Sequence, residues 1–416
     1  MRPWIYEWMR TGSVEKGINF ANMNKRTLAG AGGIAVLIAV GVWHFLLGSA
    51  SFNDHGAVAA TIAPESVAAS HLTAVDPKPV TLRAKDAPAG SLWVRRSPKD
   101  AERRAWRKRL ELRYRRLGAS QQFIDQMVVG NKVEALKRLK QQALSGNATA
   151  IRTYADFTYW NCFAHRTPEQ MDSYTEMQMQ ESRSLPAPDA EWFRDAFAEA
   201  IATEKEVAAA CHEAVNVDQA FDMMHASAEQ GDAENLYLSA LTARTQPEQQ
   251  RLMRAAAIAG SPDAQFQIAW LVLGGHQTEL LGTGPDALNV GDLLRQAATQ
   301  IPQAEGTLAI CEFSGCDGIA ADSTAAIHTA LSAAEHGFFE GLQNIAPHLS
   351  PSQLDPTDIE AWNLIHASVD LQCGQGWTNV QAMRSTLDAL SSPAATDSAR
   401  KRAEQLWAQY GAALGC

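Results

Sequence analysis

The clearest alternation of apolar and polar positions lies between Ala220 and Leu273. Two Ala-rich stretches there end at Gly231 and Gly260, and each glycine is followed by a polar residue and a new apolar stretch. Glycine suits the left-handed residue that ends a helix, and Asp or Ser can cap the helix that follows. The pattern therefore predicts two helical hairpins, each with a glycine turn between its helices.

The helix after Gly260 is apolar on two sides, as expected of an interior helix in a stack of hairpins. Ala264, four residues after this glycine, is a small position where the facing helix should cross closely. The same combination of turn and small residue recurs at Gly146 and Gly337, and more faintly at Gln300. Spacings in the thirties are typical of helical-hairpin arrays, and the long gap after Gly146 has room for one or two further hairpins.

These residues resemble the Sel-one-like repeat family, a relative of the tetratricopeptide repeats. The likeness is carried by Ala257-Ile258-Ala259-Gly260 with Ala264-Gln265-Phe266, and by Gly231 with Asn235-Leu236-Tyr237-Leu238. It extends over roughly residues 136–346. The resemblance implies an α-solenoid that binds proteins, and it brings no catalytic residues.

A basic segment precedes the array. Trp106, Leu110, Tyr114 and Leu117 recur at helical spacing and predict one helix that ends at Gly118. The remaining faces of this helix hold arginines, among them Arg103, Arg104, Arg107, Arg109, Arg113 and Arg116. Residues 94–145 contain fifteen Lys and Arg against five Asp and Glu, whereas residues 146–416 contain thirteen against thirty-five.

Three interpretations of the basic helix remain open. It can pack its apolar stripe on the acidic array, lie on anionic lipid, or bind nucleic acid. We favour a solvated helix or one docked on the array, and we expect no nucleic acid.

The run from Thr27 to Leu47 carries no formal charge and is long enough, as a helix, to cross a bilayer. Lys25 and Arg26 precede it, and the next Lys or Arg is Lys78. The positive-inside rule then places the N-terminus in the cytoplasm and the remainder in the periplasm. The sequence thus predicts a single-pass protein of a bacterial inner membrane. The alternative is a signal peptide cleaved near Ala50, with secretion to the periplasm.

The predicted fold class is all-α: an α-solenoid that follows one transmembrane helix and a flexible stalk. Five segments are expected: a cytoplasmic tail (1–26, with Met23 as a possible true start), a transmembrane helix (27–48), a disordered Ala/Ser/Pro-rich linker (49–93), a helical-repeat domain that begins with the basic helix (94–356) and a C-terminal helical cap (357–416).

All six cysteines lie in the predicted extracytoplasmic body, which favours disulfides in an oxidising compartment. Because each repeat of a linear array touches only its neighbours, sequential pairing is the natural expectation. The predicted pairs are Cys162–Cys211, Cys311–Cys316 and Cys373–Cys416. No metal site is predicted, since the cysteines lack zinc-ligand spacing and histidine partners.

No motif for a nucleotide or an acyl-transfer nucleophile is present, and the plentiful carboxylates suggest a solvated acidic face. We therefore predict no catalytic residue, no cofactor and no small-molecule ligand. The first functional hypothesis is a scaffold that binds other proteins of the envelope, whose identity the sequence does not give. The alternative is a periplasmic hydrolase that acts on cell-wall material in the groove of the array.

Overall fold

The computed structural model describes residues 92, 96–163, 168–275, 277–284, 287–373, 380–391, 396–411 and 414. Over these residues the chain is helical and contains no β-strand, which confirms the predicted all-α class. The first eight α-helices are α1 (Pro98–Leu110), α2 (Gln121–Val129), α3 (Lys132–Leu144), α4 (Ala148–Phe157), α5 (Pro168–Glu181), α6 (Ala187–Ala214), α7 (Val217–Glu229) and α8 (Ala233–Thr242). The next nine are α9 (Gln246–Ile258), α10 (Pro262–Leu273), α11 (Val290–Ala298), α12 (Pro302–Ser314), α13 (Ser323–Glu335), α14 (Glu340–Ile345), α15 (Pro356–Cys373), α16 (Val380–Ser391) and α17 (Asp397–Tyr410). Short π-helical turns extend α1 (Glu111–Arg115) and α4 (Thr158–Phe163).

The predicted glycine turns share one geometry. Gly146, Gly231, Gly260 and Gly337 all have φ between 84° and 94°, the left-handed region that only glycine adopts easily. At Gly231, the glycine N–H donates to Ala228 O at 2.9 Å and the next N–H donates to Ser227 O at 3.2 Å. This pair of hydrogen bonds is the Schellman motif, which satisfies the last carbonyls of a helix.

A polar cap then starts the second helix of each hairpin. The side chains of Asn147, Asp232 and Ser261 each accept a hydrogen bond from the backbone N–H three residues later. A turn that ends one helix and a cap that starts the next are both local, so they follow from the sequence alone.

The hairpins pack in series. Each helix from α7 to α13 packs against the next one along the chain, and α3 pairs with α4 in the same way. Ala264 is fully buried in a core cluster with Met253, Ala256 and Ala257 of the facing helix α9, as its small size predicts. The described chain is therefore an array of helical hairpins.

The long gap after Gly146 contains an insertion. Helices α5 and α6 lie in it, but α4 packs directly against α7 and α8, so the array continues without them. The inserted helix α6 is 28 residues long and packs on α1, on α3 and on the π-helical turn that follows α4. Sequence spacing alone could not separate an inserted helix pair from a further repeat, because α5 and α6 lack the glycine turn.

The C-terminal helices return to the beginning of the described chain. Helix α15 packs on α1, and Leu371 and Val380 share a core cluster with Phe193 and Phe197 of α6. The Val380 N–H also donates to Gln178 Oε1 of α5 at 3.0 Å. Helices α15 and α16 therefore connect the end of the array to its N-terminal side. The division of the chain between residues 356 and 357 stays a prediction.

Two of the three predicted disulfides are confirmed. Cys162 pairs with Cys211, with their Cα atoms 5.5 Å apart, and Cys311 pairs with Cys316, with their Cα atoms 5.3 Å apart. The first pair ties the π-turn after α4 to the last turn of α6. The predicted Cys373–Cys416 pair lies outside the described side chains and stays a prediction.

The predicted single-pass location in an inner membrane is corrected by the structure. Among the described residues, no helix combines the length and the apolar character that a membrane span requires. Helices α6 and α15 are long enough, but charged residues interrupt both of them. The run from Thr27 to Leu47, on which the expectation rested, lies outside the described residues, as do the predicted tail, the linker and the cleavage site near Ala50.

Candidate functional site

The basic segment, defined here as residues 98–117, is docked on the array by its apolar stripe. Leu110, Tyr114 and Leu117 are almost fully buried, and Trp106 is partly buried against them. The Tyr114 ring lies among aromatic rings of α2 and α4, at 6.1 Å from the Phe123 ring and 5.7 Å from the Phe157 ring. This arrangement agrees with the alternative in which the helix packs on the array.

Arg113 forms the first ionic contact between this segment and the array. Its guanidinium donates two hydrogen bonds of 2.6 Å to the two carboxylate oxygens of Asp156, a buried residue of α4. The same guanidinium lies 4.9 Å from the centre of the Trp160 ring. A bidentate pair with a stacked ring fixes both the position and the orientation of the arginine.

Arg116 contacts two hairpins at once. Its Nη1 lies 3.1 Å from a Glu234 oxygen in the first turn of α8, and its Nη2 lies 2.6 Å from an Asp263 oxygen in the first turn of α10. Each acidic residue stands three positions after a turn glycine, so the two occupy equivalent sites in successive hairpins. The array thus presents one carboxylate per hairpin to the same guanidinium.

The Arg116 guanidinium contacts two carboxylates, and the surroundings of one of them, Glu234, change its pKa. Burial and the neighbouring Asp263 carboxylate raise the pKa of Glu234 to about 7. Arg116 opposes this shift by favouring the charged form. Glu234 therefore changes its charge near neutral pH, and the removal of Arg116 would leave the Glu234 and Asp263 carboxylates without their shared cation.

The six predicted arginines differ in their positions and in their exposure to solvent. Arg107, Arg109, Arg113 and Arg116 bind carboxylates, of which Asp125 lies 2.5 Å from Arg107 and Glu102 lies 3.1 Å from Arg109. Arg103 and Arg104 lie on the exposed side of α1, where Arg103 is 4.0 Å from Asp100 in the preceding turn. Sequence periodicity places all six on one helix but does not say which of them meets the array.

Lys108 joins the basic segment to the C-terminal part of the chain. Its Nζ donates to the Leu414 carbonyl oxygen at 2.6 Å, and burial lowers the pKa of Lys108 to about 8. Gly337 packs close to this amine, because a Cβ built on it would lie 2.9 Å from Lys108 Nζ. The segment is therefore held by both the middle and the end of the chain.

The sequence did not lead us to predict which carboxylates bind the basic segment. Asp156, Glu234 and Asp263 were included in an acidic face that we expected to be solvated, and this expectation was wrong for all three. One signal was present: Glu234 and Asp263 occupy the same position after a turn glycine. A repeated acidic position opposite a basic helix is a pattern that could have predicted the contact.

The hairpins and their glycine turns define the class of the molecule as an α-helical repeat protein. A comparison with family models finds no match, and a comparison with curated proteins finds none either. The solved structures that are similar include the following two. One is a protective antigen of uropathogenic Escherichia coli with an SLR fold, at 16% identity and a TM-score of 0.36, over 69% of this chain and 74% of that one. The other is a Sel1 repeat protein from Oxalobacter formigenes, at 17% identity and a TM-score of 0.31, over 65% of this chain and 89% of that one.

Proposed function

We propose that this protein is a scaffold that binds other proteins through its helical-repeat array. The observation that supports this function is the docked basic segment itself. Side chains from α4, α8 and α10 together hold one polypeptide helix, and they use carboxylates to do so. Stacked hairpins bind proteins in this way, because equivalent positions of successive repeats form one extended surface.

The hydrolase alternative has less support from the same surface. Glu234, whose pKa is raised, is held by Arg116, and Asp156 is held on both oxygens by Arg113. Such pairing suits a structural contact better than proton transfer to a substrate. The scaffold is therefore the function that we develop.

Site-specific photo-crosslinking in cells that produce the full chain tests the proposal. Leu144, Glu229 and Ile258 are exposed, and each stands two residues before a turn glycine. A photoreactive residue at each of these positions samples three hairpins in the same register. The buried Ala264 serves as the control position.

A scaffold should give discrete adducts with other proteins from at least one exposed position and none from position 264. Adducts that share one partner across neighbouring hairpins would locate the binding surface. The absence of any protein adduct, from these positions and from one exposed site on each remaining hairpin, would contradict the proposed function.

A further inference from the structure

A cavity of about 460 Å³ lies beside α1. Its described lining consists of Arg96, Asp100, Arg103, Arg104, Arg107, Lys108 and Glu111. Five of these residues lie on α1 at intervals of three and four, while Arg96 precedes the helix and Glu111 follows it in the π-helical turn. The described lining therefore comes from one short stretch of the chain.

Positive charge is concentrated in this cavity. Five basic residues face two acidic ones, and one further carboxylate, that of Asp125, lies 2.5 Å from Arg107. Lys108 is directed inward to Leu414 O, whereas Arg103 and Arg104 are exposed. Burial and, after it, the charge of nearby Arg104 lower the pKa of Arg96, while Asp100 opposes this shift. An anion in the cavity would offset this repulsion.

Hydrogen bonds and an ion pair hold the chain that carries these basic residues. Trp192 of α6 donates its indole N–H to Arg96 O at 3.0 Å, and Trp106 donates its indole N–H to Met127 O at 3.0 Å. Arg113 fixes the other end of the segment through Asp156. Because the backbone is already ordered, a ligand that binds here loses less free energy to the ordering of the site.

We propose that this cavity binds an acidic segment of a partner protein, whose Asp and Glu carboxylates pair with Arg103 and Arg104. The proposal rests on the proposed scaffold function and adds the chemistry of the partner. Guanidinium groups bind carboxylates through paired hydrogen bonds, so two adjacent arginines suit a segment with neighbouring acidic side chains.

The charge of the remaining chain supports the choice of this face. Residues 146–416 contain thirty-five Asp and Glu against thirteen Lys and Arg. The net negative charge of this part of the chain disfavours the binding of an acidic segment there, whereas the cavity beside α1 is lined mainly by basic residues. Electrostatic complementarity of this kind sets specificity and the rate of association.

Fluorescence anisotropy of a labelled octaglutamate peptide with the full chain tests this inference. The informative variant is Arg103→Glu with Arg104→Glu. The matched control is Lys137→Glu with Arg138→Glu, which reverses two adjacent exposed basic residues on α3 and changes the net charge equally. Should either reversal fail to fold, Arg103→Gln with Arg104→Gln replaces it, beside Lys137→Gln with Arg138→Gln.

The peptide should bind the natural chain, and the variant at positions 103 and 104 should bind it about ten-fold or more weakly. The control should bind within about two-fold of the natural chain. Equal losses in the two variants would show diffuse attraction and would overturn the proposal. Binding of inorganic triphosphate without binding of the peptide would overturn it too, in favour of a small-anion site. A lack of peptide binding would end this inference, while crosslinks from the array would still support the scaffold.

Discussion

Arg115 and Arg116 are adjacent in the sequence, yet their surroundings are opposite. The Arg115 side chain is 57% exposed and contacts Glu111 and Gln121, which are close to it in the sequence. The Arg116 side chain is 11% exposed and binds carboxylates of two hairpins. Surface ion pairs contribute little to stability, but the loss of one partner from a buried pair leaves a buried charge.

We therefore predict that Arg116→Leu lowers the free energy of unfolding by roughly 3–5 kcal/mol. Arg115→Leu, as the matched control, should change it by less than about 1 kcal/mol. Urea unfolding of the two variants, followed by circular dichroism, measures the difference. Equal midpoints would mean that Arg116 makes no net contribution to docking.

Gly337 differs from the other turn glycines because the side chain of Lys108 lies close to its Cα. A Cβ at Gly231 would meet no atom within 4 Å, but a Cβ at Gly337 would lie 2.9 Å from Lys108 Nζ. Both residues have positive φ, so the backbone cost of a substitution is similar. The additional contact at Gly337 involves a buried amine that is already bound to Leu414 O.

Gly231→Ala should cost roughly 1–2 kcal/mol through its backbone alone. Gly337→Ala should cost more, by up to about 1.5–3 kcal/mol, since Lys108 Nζ must move away from the new Cβ and this weakens a hydrogen bond from a charged group. The check is the difference between the two urea midpoints. If Lys108 can move aside freely, the two variants will unfold together, and the contact with Leu414 is then unimportant.

At the scale of helices, the local signals in the sequence were sufficient for much of the array. Turns at Gly146, Gly231 and Gly260, with their caps, are defined within a few residues, and the stripe that contains Tyr114 follows from helical spacing. The inserted helix α6 was different, because its partners α1 and α3 lie far away in the sequence. The partners of Arg113 and Arg116 could not be predicted either, because they too are distant in the sequence.

The crossing of α9 and α10 gives a prediction at this scale. Ala264 is fully buried beside Ala256 and Ala257, so a larger side chain has no space to occupy. Ala264→Leu should lower the stability by about 1–3 kcal/mol, while the exposed Gln230→Lys should have little effect. Thermal unfolding compares the two. A normal melting temperature for Ala264→Leu would show that the helices do not cross closely at this position.

At the scale of the whole molecule, the two confirmed disulfides close loops of very different length. Cys162 and Cys211 are 49 residues apart and enclose the inserted helices, whereas Cys311 and Cys316 are 5 residues apart. In the chain-entropy model the longer loop stabilises by about 4 kcal/mol and the shorter by about 2 kcal/mol. The double substitution Cys162→Ala with Cys211→Ala should therefore destabilise more than Cys311→Ala with Cys316→Ala. Guanidinium unfolding of the purified variants gives both values, and the opposite order would contradict this description of the insertion.

The central claim is that the array holds its own basic segment and that the C-terminal helices close against it. Three kinds of contact support it: the buried stripe with Tyr114, the ion pairs of Arg113 and Arg116, and the hydrogen bond from Lys108 to Leu414 O. A helix held in this way opens only with the structure around it, so its amides exchange slowly.

Hydrogen exchange of the full chain, followed by mass spectrometry, tests this claim most directly. We predict that peptides covering residues 98–117 exchange as slowly as those covering α9 and α10. In Arg116→Leu, residues 98–117 should exchange faster, while α12 and α13 keep their protection. Rapid exchange of residues 98–117 in the natural chain, beside slow exchange of α9 and α10, would contradict the account, because the segment would then not be docked on the array.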